Sequence, residues 1–284
     1  EAVPYAKIVI DSPHSLATND DLKMNSAFNK LRSTDDLDEV IYAQEYDNAV
    51  NTSDWFPTYA FNSSAVSVFG TYSIFERVYG PTDEFLNVYE KNDLRIQPNQ
   101  FFHWEYTNPN TGATWSSKNA GCWYYYDEDA LLSTGKGTKD WNVYRYAEAL
   151  LDGAEAIAQS QGVTAEAAGY LAQVQARADM EGKTADQIAS ELQKLSKQAF
   201  IEACWTERLR EFPLEYKIWD DCVRTGKFPV ISKTEVGRID YVNLVGAQNA
   251  SGATFKETDL LWPISVNEMQ RNPSLTQNPG YSAR

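Results

Sequence analysis

The chain has 284 residues, with 43% hydrophobic and 23% charged side chains, ordinary for a globular protein and enough to bury a sizeable core. Its formal net charge of −15 repels nucleic acid and anionic membrane surfaces and leaves a neutral ligand as the compatible kind. No apolar run approaches the roughly 20 residues that span a bilayer. Aromatic residues are abundant at 13%, with 17 Tyr, 12 Phe and 8 Trp. Cys122, Cys204 and Cys222 fit neither a zinc site nor a disulfide framework.

Residues 1–10 begin as though inside a helix, with Ala2, Tyr5, Ala6, Val9 and Ile10 as its apolar stripe. The expected reading is a piece of a longer protein whose upstream part, including any targeting signal, lies outside this sequence; the alternative is a processed N-terminus. Val40 to Ala43 has the composition of a strand. Asn48 to Tyr79 is rich in Asn, Ser, Thr and aromatics. Pro81 opens a short helix capped by Thr82 or Asp83, with Phe85, Leu86, Val88 and Tyr89 on its buried side. Asn108 to Asp129 reads as turns studded with aromatics.

From Trp141 the composition changes. Val143 or Tyr144, Ala147, Leu150, Leu151, Ala154, Ile157 and Ala158 recur at helical spacing, and Gly162 closes the helix. An alanine-rich face lets a neighbouring helix come close. Two further helices start at Thr164 and Thr184 as N-caps; the second runs to Phe212. Helices joined by short connections imply antiparallel hairpins of tetratricopeptide type, without a strict 34-residue repeat. A fourth helix over 215–225 ends at Gly226, with Arg224 and Lys227 complementing its dipole. Ser265 to Glu268 has capping-box spacing, predicting a helix over 266–271. Pro273, Pro279 and Gly280 then fix ordered turns that end at Tyr281.

Three segments together resemble the SusD/RagB family of Bacteroidetes-type bacteria: VYRYAEALLDGAEAIAQ, CWTERLREFPLEYKIWDDCVRTGKF and LLWPISVNEMQRNPSLTQNPGY. Glu207, Arg208, Trp219, Asp220, Arg224, Trp262 and Tyr281 carry the structural signature. Departures lie at Pro213-Leu214, Asp221-Cys222 and Ser265, positions of turns and packing. The resemblance implies a mainly α, SusD-like fold of α-α superhelix type, with tetratricopeptide-like hairpins and long loop-rich insertions. It implies one domain over 1–284, the C-terminal portion of a longer chain, loop-rich over 1–140 and helical over 141–284. It further implies an outer-membrane lipoprotein, lipid-anchored by an upstream segment on the outer face, that binds glycan nutrients. Its partner would be a SusC-like, TonB-dependent transporter, with no cofactor and no catalysis. The closing tail would fold back over the helical body, with Trp262 and Tyr281 as its anchors.

Glu207 and Glu211 share one helix face, but nearby Arg208, Arg210 and Arg224 would hold them ionised, which denies a glycosidase its proton donor. Asp220 and Asp221 point apart, giving one paired and one solvated charge. His103 fits packing among aromatics, and Asp127, Glu128 and Asp129 fit a solvated run better than a Ca²⁺ loop. The binding candidates are aromatics on polar loops, since a flat ring covers the C–H face of a sugar while polar side chains read its hydroxyl rim. These are Trp55, Tyr59, Tyr72, Trp115, Trp123 and Tyr125, with Asp54 on the rim; the alternative for each is burial. Trp141, Trp205, Trp219 and Trp262 are expected in the core. Rival readings are a helical-repeat scaffold for a protein or peptide and, third, a glycoside hydrolase.

Overall fold

The computed structural model describes residues 1–47, 49, 55–69, 80–133 and 135–282. Asp54 and Tyr72 lie outside the described residues. Residues 1–216 with 231–238 form one compact unit, and 217–230 with 239–284 form a second. The change of composition at Trp141 falls inside the first unit.

The first unit is built on helices α1 (Ala2–Ile10), α5 (Tyr146–Gln161), α6 (Ala165–Ala178), α7 (Ala185–Leu192) and α8 (Lys197–Glu211). Between α1 and α5 lie α2 (Ala27–Ser33), α3 (Asp83–Leu86), α4 (Glu128–Leu131) and strands β1 (Val40–Gln44), β2 (His103–Thr107), β3 (Thr114–Gly121) and β4 (Trp141–Arg145). Helix α5 packs on α1, α6 and α8, and α6 packs on α7, as successive helical hairpins do. Leu150, Leu151, Ala154, Ile157 and Ala158 of α5 meet Ala168, Leu171 and Ala172 of α6 and Phe200 and Cys204 of α8 in one buried cluster. Small residues set the spacing: a Cβ on Gly153 would stand 2.8 Å from Ile10 Cδ1.

The caps are local: Thr164 and Thr184, expected as N-caps, and Ser196, which was not, accept from the backbone N–H three residues on, and Thr184 with Gln187 completes a capping box. Thr82 caps α3, which is a single turn. Gly162 ends α5 at φ +87°.

Several expectations are corrected. The stretch after Thr184 is two helices, because Ser196 takes an extended conformation and restarts the helix as the N-cap of α8. Trp141 to Arg145 is strand β4, paired antiparallel with β1, so α5 begins only at Tyr146. The aromatic stretch from Asn108 holds most of a hairpin, with β2 antiparallel to β3. Tyr5, assigned to the buried stripe of α1, is 72% exposed. The helix expected from Glu215 starts at Ile218, since Tyr216 adopts φ +60° and breaks the chain direction.

The second unit holds α9 (Ile218–Thr225), the pair β5 (Lys227–Ile231) and β6 (Ile239–Asn243), and α10 (Val266–Arg271). Gly226 ends α9 in the left-handed conformation, and Ser265 caps α10. Trp219 meets Phe255, ring centroids 5.7 Å apart. The tail is stitched to its own unit: Tyr281 donates to the Thr258 and Leu261 carbonyls at 2.9 and 3.0 Å. The Gln277 side chain bonds both the N–H and the carbonyl of Ile264. Within this unit Trp262 is exposed, and what it contributes there is a backbone carbonyl that accepts from Asn278 at 2.6 Å.

Candidate functional site

A buried ion network joins the loop-rich stretch to α8. Arg95 binds Asp93, Glu207 and Glu211; Arg145 binds Glu39, Glu211 and Glu215; Arg177 binds Glu39 and Glu211. Burial raises the Glu211 carboxyl, but Arg177, Arg145 and Arg95 outweigh it and hold the group down at about 2. Glu211 is therefore a structural anion, and Glu207 is engaged beside it by Arg95. The arginines responsible differ from those expected: Arg208 pairs instead with Glu148 and Asp152, and Arg210 donates to the Val88 carbonyl. Of the adjacent aspartates, Asp220 is the exposed one and Asp221 the partner of Arg224.

The network and His103 set an acid sensitivity. Burial lowers His103 to about 4 from an ordinary 6.5, and its Nε2 faces the Ala60 carbonyl at 2.7 Å. Both Glu211 and His103 have folded values below their unfolded ones, so the unfolded chain binds the extra protons as pH falls. Stability is lost between 6.5 and about 4 through His103 and between 4.5 and about 2 through Glu211, each on the order of 3 kcal/mol at completion. Burial raises Glu215 and opposes this trend in part. Thermal melts from pH 7 to pH 3 are expected to fall continuously; a flat profile would contradict the network's ionisation.

The aromatic candidates part company in the structure. Trp115 is 4% exposed, meets Phe61 and His103, and donates Nε1–H to Ser64 Oγ at 2.8 Å. Trp123 is covered by Tyr126, stacked at 4.1 Å, and donates to Asn29 Oδ1 at 2.9 Å. Tyr125 is buried and donates to the Leu214 carbonyl at 2.6 Å. With faces covered and polar atoms satisfied inside, these three are core, which corrects their assignment as platforms. The edges of Trp115 and Trp123 line a groove of about 450 Å³ beside Glu105 and Ser116, but a sugar needs a ring face.

Trp55 and Tyr59 remain. Trp55 is 41% exposed, with the Lys136 ammonium 4.9 Å from its ring centre. Tyr59 is half-buried against Phe56 and Tyr125. Phe56, next in sequence to Trp55, stacks on Trp141 at 4.2 Å, and Tyr216 stands 5.7 Å from Trp141 and is itself exposed. Trp141 is thus half-buried at a surface rather than in the core. Tyr216 holds a left-handed backbone that a bulky residue adopts only when its surroundings impose it. That strain could not be read from the sequence, since Tyr gives no left-handed signal as Gly or Asn would.

Beside the Phe56–Trp141 stack opens a recess of about 40 Å³, water-sized, lined by Arg32, Tyr126, Asp127, Lys139 and Asp140 among others. Arg32, Tyr126, Asp127 and Lys139 also line a wider cleft of about 370 Å³, within the range of small-ligand sites. Its floor is fixed: Asp127 caps α4, and Tyr126 donates to Glu128 at 3.0 Å. The surface offers the exposed Trp55 ring, next in sequence to Phe56, and a cleft rimmed by charged donors and acceptors, which suits a polyhydroxylated ligand.

The sequence model of the SusD family matches residues 38–281. The chain belongs to the SusD family. A SusD superfamily protein from Parabacteroides distasonis ATCC 8503 superposes with a TM-score of 0.78 at 27% identity, over 98% of this chain and 57% of that one. Surface glycan-binding protein A from Bacteroides uniformis gives 0.65 at 21% identity over 98% and 56%. The Bacteroides thetaiotaomicron surface glycan-binding protein A, in complex with laminarihexaose, gives 0.62 at 19% over 98% and 58%. The chain therefore spans a little over half the length of these SusD-family structures. No curated protein matches it in sequence. As a member of the SusD family it is a mainly helical, tetratricopeptide-like protein.

Proposed function

We propose that this protein captures glycans at the cell surface, without cleaving them, and hands them to a TonB-dependent transporter in the outer membrane, to which an upstream lipid anchor keeps it close. The observation that carries this reading is the exposed Trp55, next in sequence to Phe56, whose recess shares Arg32, Tyr126, Asp127 and Lys139 with the charged cleft. Several solved structures of the same fold are named as surface glycan-binding proteins, one of them in complex with laminarihexaose. Engagement of Glu207 and Glu211 in ion pairs leaves that carboxylate pair unsuited to general acid catalysis. The burial of Trp115, Trp123 and Tyr125 is what a peptide-binding scaffold would show, but the exposed rings of Trp55 and Tyr216 favour sugar.

Affinity electrophoresis against laminarin, xyloglucan, galactomannan and host-type glycans tests the reading, with the supernatant assayed for released sugar. Retention by one class without release is expected. Trp55→Ala should weaken it roughly five- to thirtyfold, since stacking on a sugar contributes on the order of 1–2 kcal/mol, while leaving the melting temperature unchanged. Released sugar, or retention untouched by the substitution, would count against it.

A further inference from the structure

Arg32 is the one feature of the cleft that the packing of the fold leaves unfinished. It lies on α2, on the side that carries the recess and the wider cleft, and lines both. Its guanidinium sits near the Trp123 and Tyr126 rings at 5.4 and 5.5 Å. Nη1 donates to the Tyr126 carbonyl at 2.6 Å and Nε to Asn29 Oδ1 at 3.2 Å. A guanidinium has five N–H donors, and these are two of them. Among the described residues no carboxylate comes within ion-pair distance of it, in contrast to Arg95, Arg145 and Arg177, each of which pairs with two or three carboxylates. Burial pulls Arg32 down to about 10, the mark of a cation held away from water without full compensation. The remaining donors are thus available to a ligand in the cleft.

The rest of the cleft decides which ligand. Asp35, Asp127, Glu128 and Asp129 line it, against Arg32 and Lys139. Lys139 is committed to Asp35 at 2.8 Å. Asp140 adds a further negative charge at the recess. The local field is therefore negative, in a chain whose net charge is −15. With Asp35 and Lys139 offsetting each other, a uronate or sulfate entering it meets repulsion from Asp127, Glu128 and Asp129, with Arg32 alone among the lining residues to offset them. A neutral sugar meets the opposite: its hydroxyls donate to the carboxylates and accept from Arg32.

We infer that Arg32 is a specificity-determining residue, and that the cleft takes neutral, hydroxyl-rich glycans and rejects those bearing uronate or sulfate. This rests on the glycan-binding reading above. The test uses laminarin, xyloglucan and galactomannan, each run in affinity electrophoresis beside its C6-oxidised uronate form. The inference expects the neutral form of the retained polymer to bind at least tenfold better than its oxidised form. It expects Arg32→Lys to weaken the neutral form with the melting temperature held within a few degrees. The exposed pair Asp35→Asn with Asp129→Asn, remote from the core, should narrow the neutral-to-acidic ratio severalfold. Equal or preferential retention of an oxidised form overturns the inference and leaves glycan binding standing, as does a ratio unmoved by both sets of substitutions. Retention of neither form of any polymer overturns the glycan reading and the inference together.

Discussion

Arg145→Met is expected to cost about 3–5 kcal/mol, because it leaves buried carboxylates without their cation. The guanidinium holds Glu215 through Nε at 3.1 Å and Nη2 at 2.7 Å, Glu211 at 3.1 Å, and Glu39 through Nη1. All four side chains are essentially inaccessible, so the carboxylates have no water to turn to. Arg177 still reaches Glu39 and Glu211, but among the described residues the Glu215 side chain keeps the Tyr124 hydroxyl alone, at 3.2 Å. For a unit of this size the loss should lower the melting temperature by roughly 10 °C. The control is Arg224→Met on α9, whose pair with Asp221 is partly solvent-exposed and should matter by less than about 1 kcal/mol. Equal effects of the two substitutions would show that the buried network does not hold the unit together.

Gly121→Ala is the second large effect. A Cβ at this position would stand 2.4 Å from the Ala60 carbonyl oxygen and 2.4 Å from His103 Nε2, the two atoms of one hydrogen bond. One obstacle is backbone and the other is a ring locked among Phe61, Trp115 and Trp123, so neither gives way cheaply. Overpacking here, together with a lost hydrogen bond in a buried site, is expected to destabilise by about 2–4 kcal/mol. Gly169→Ala supplies the contrast. That glycine is in α6 with open space around its Cβ position and an ordinary helical backbone, so the change should be neutral or stabilise by about 0.5–1 kcal/mol. Urea denaturation of the two variants measures both, and a harmless Gly121→Ala would mean that β3 does not approach the 60s loop as described.

What the sequence made legible was whatever depends on neighbours along the chain. Thr164, Thr184 and Ser265 announce helix starts because a cap is a hydrogen bond to a backbone group three residues on. Gly162 and Gly226 announce ends because the left-handed region favours glycine. The three family segments were legible for the same reason, as local patterns in a fixed order, and the match over 38–281 bears that resemblance out. The break at Ser196 was hidden by an apolar period that continues through it. Strand β4 was hidden because its partner β1 lies about a hundred residues earlier, and only that pairing makes Trp141 to Arg145 extended.

The candidate site was less legible, for a related reason. Trp55 and Trp123 look alike on paper, both aromatic residues in polar surroundings. Trp123 is buried because Asn29, 94 residues away, accepts its N–H and because Tyr126 covers its face. The partners of Glu211 were likewise misassigned, since Arg95, Arg145 and Arg177 reach it across 116, 66 and 34 residues while nearer arginines turn elsewhere. Arg32 gave no signal at all: only the fold shows a guanidinium beside a cleft without a carboxylate partner among the described residues.

We expect sugar to be held on the exposed ring of Trp55 and at the rim of the Arg32 cleft. A crystal structure of this chain with the oligosaccharide retained in the binding panel tests it most directly. The expected result is a sugar ring lying flat against Trp55, or hydroxyls within hydrogen-bond distance of Arg32 or Asp127. Sugar seated instead in the groove beside Trp115 and Glu105, or on the second unit, would contradict it.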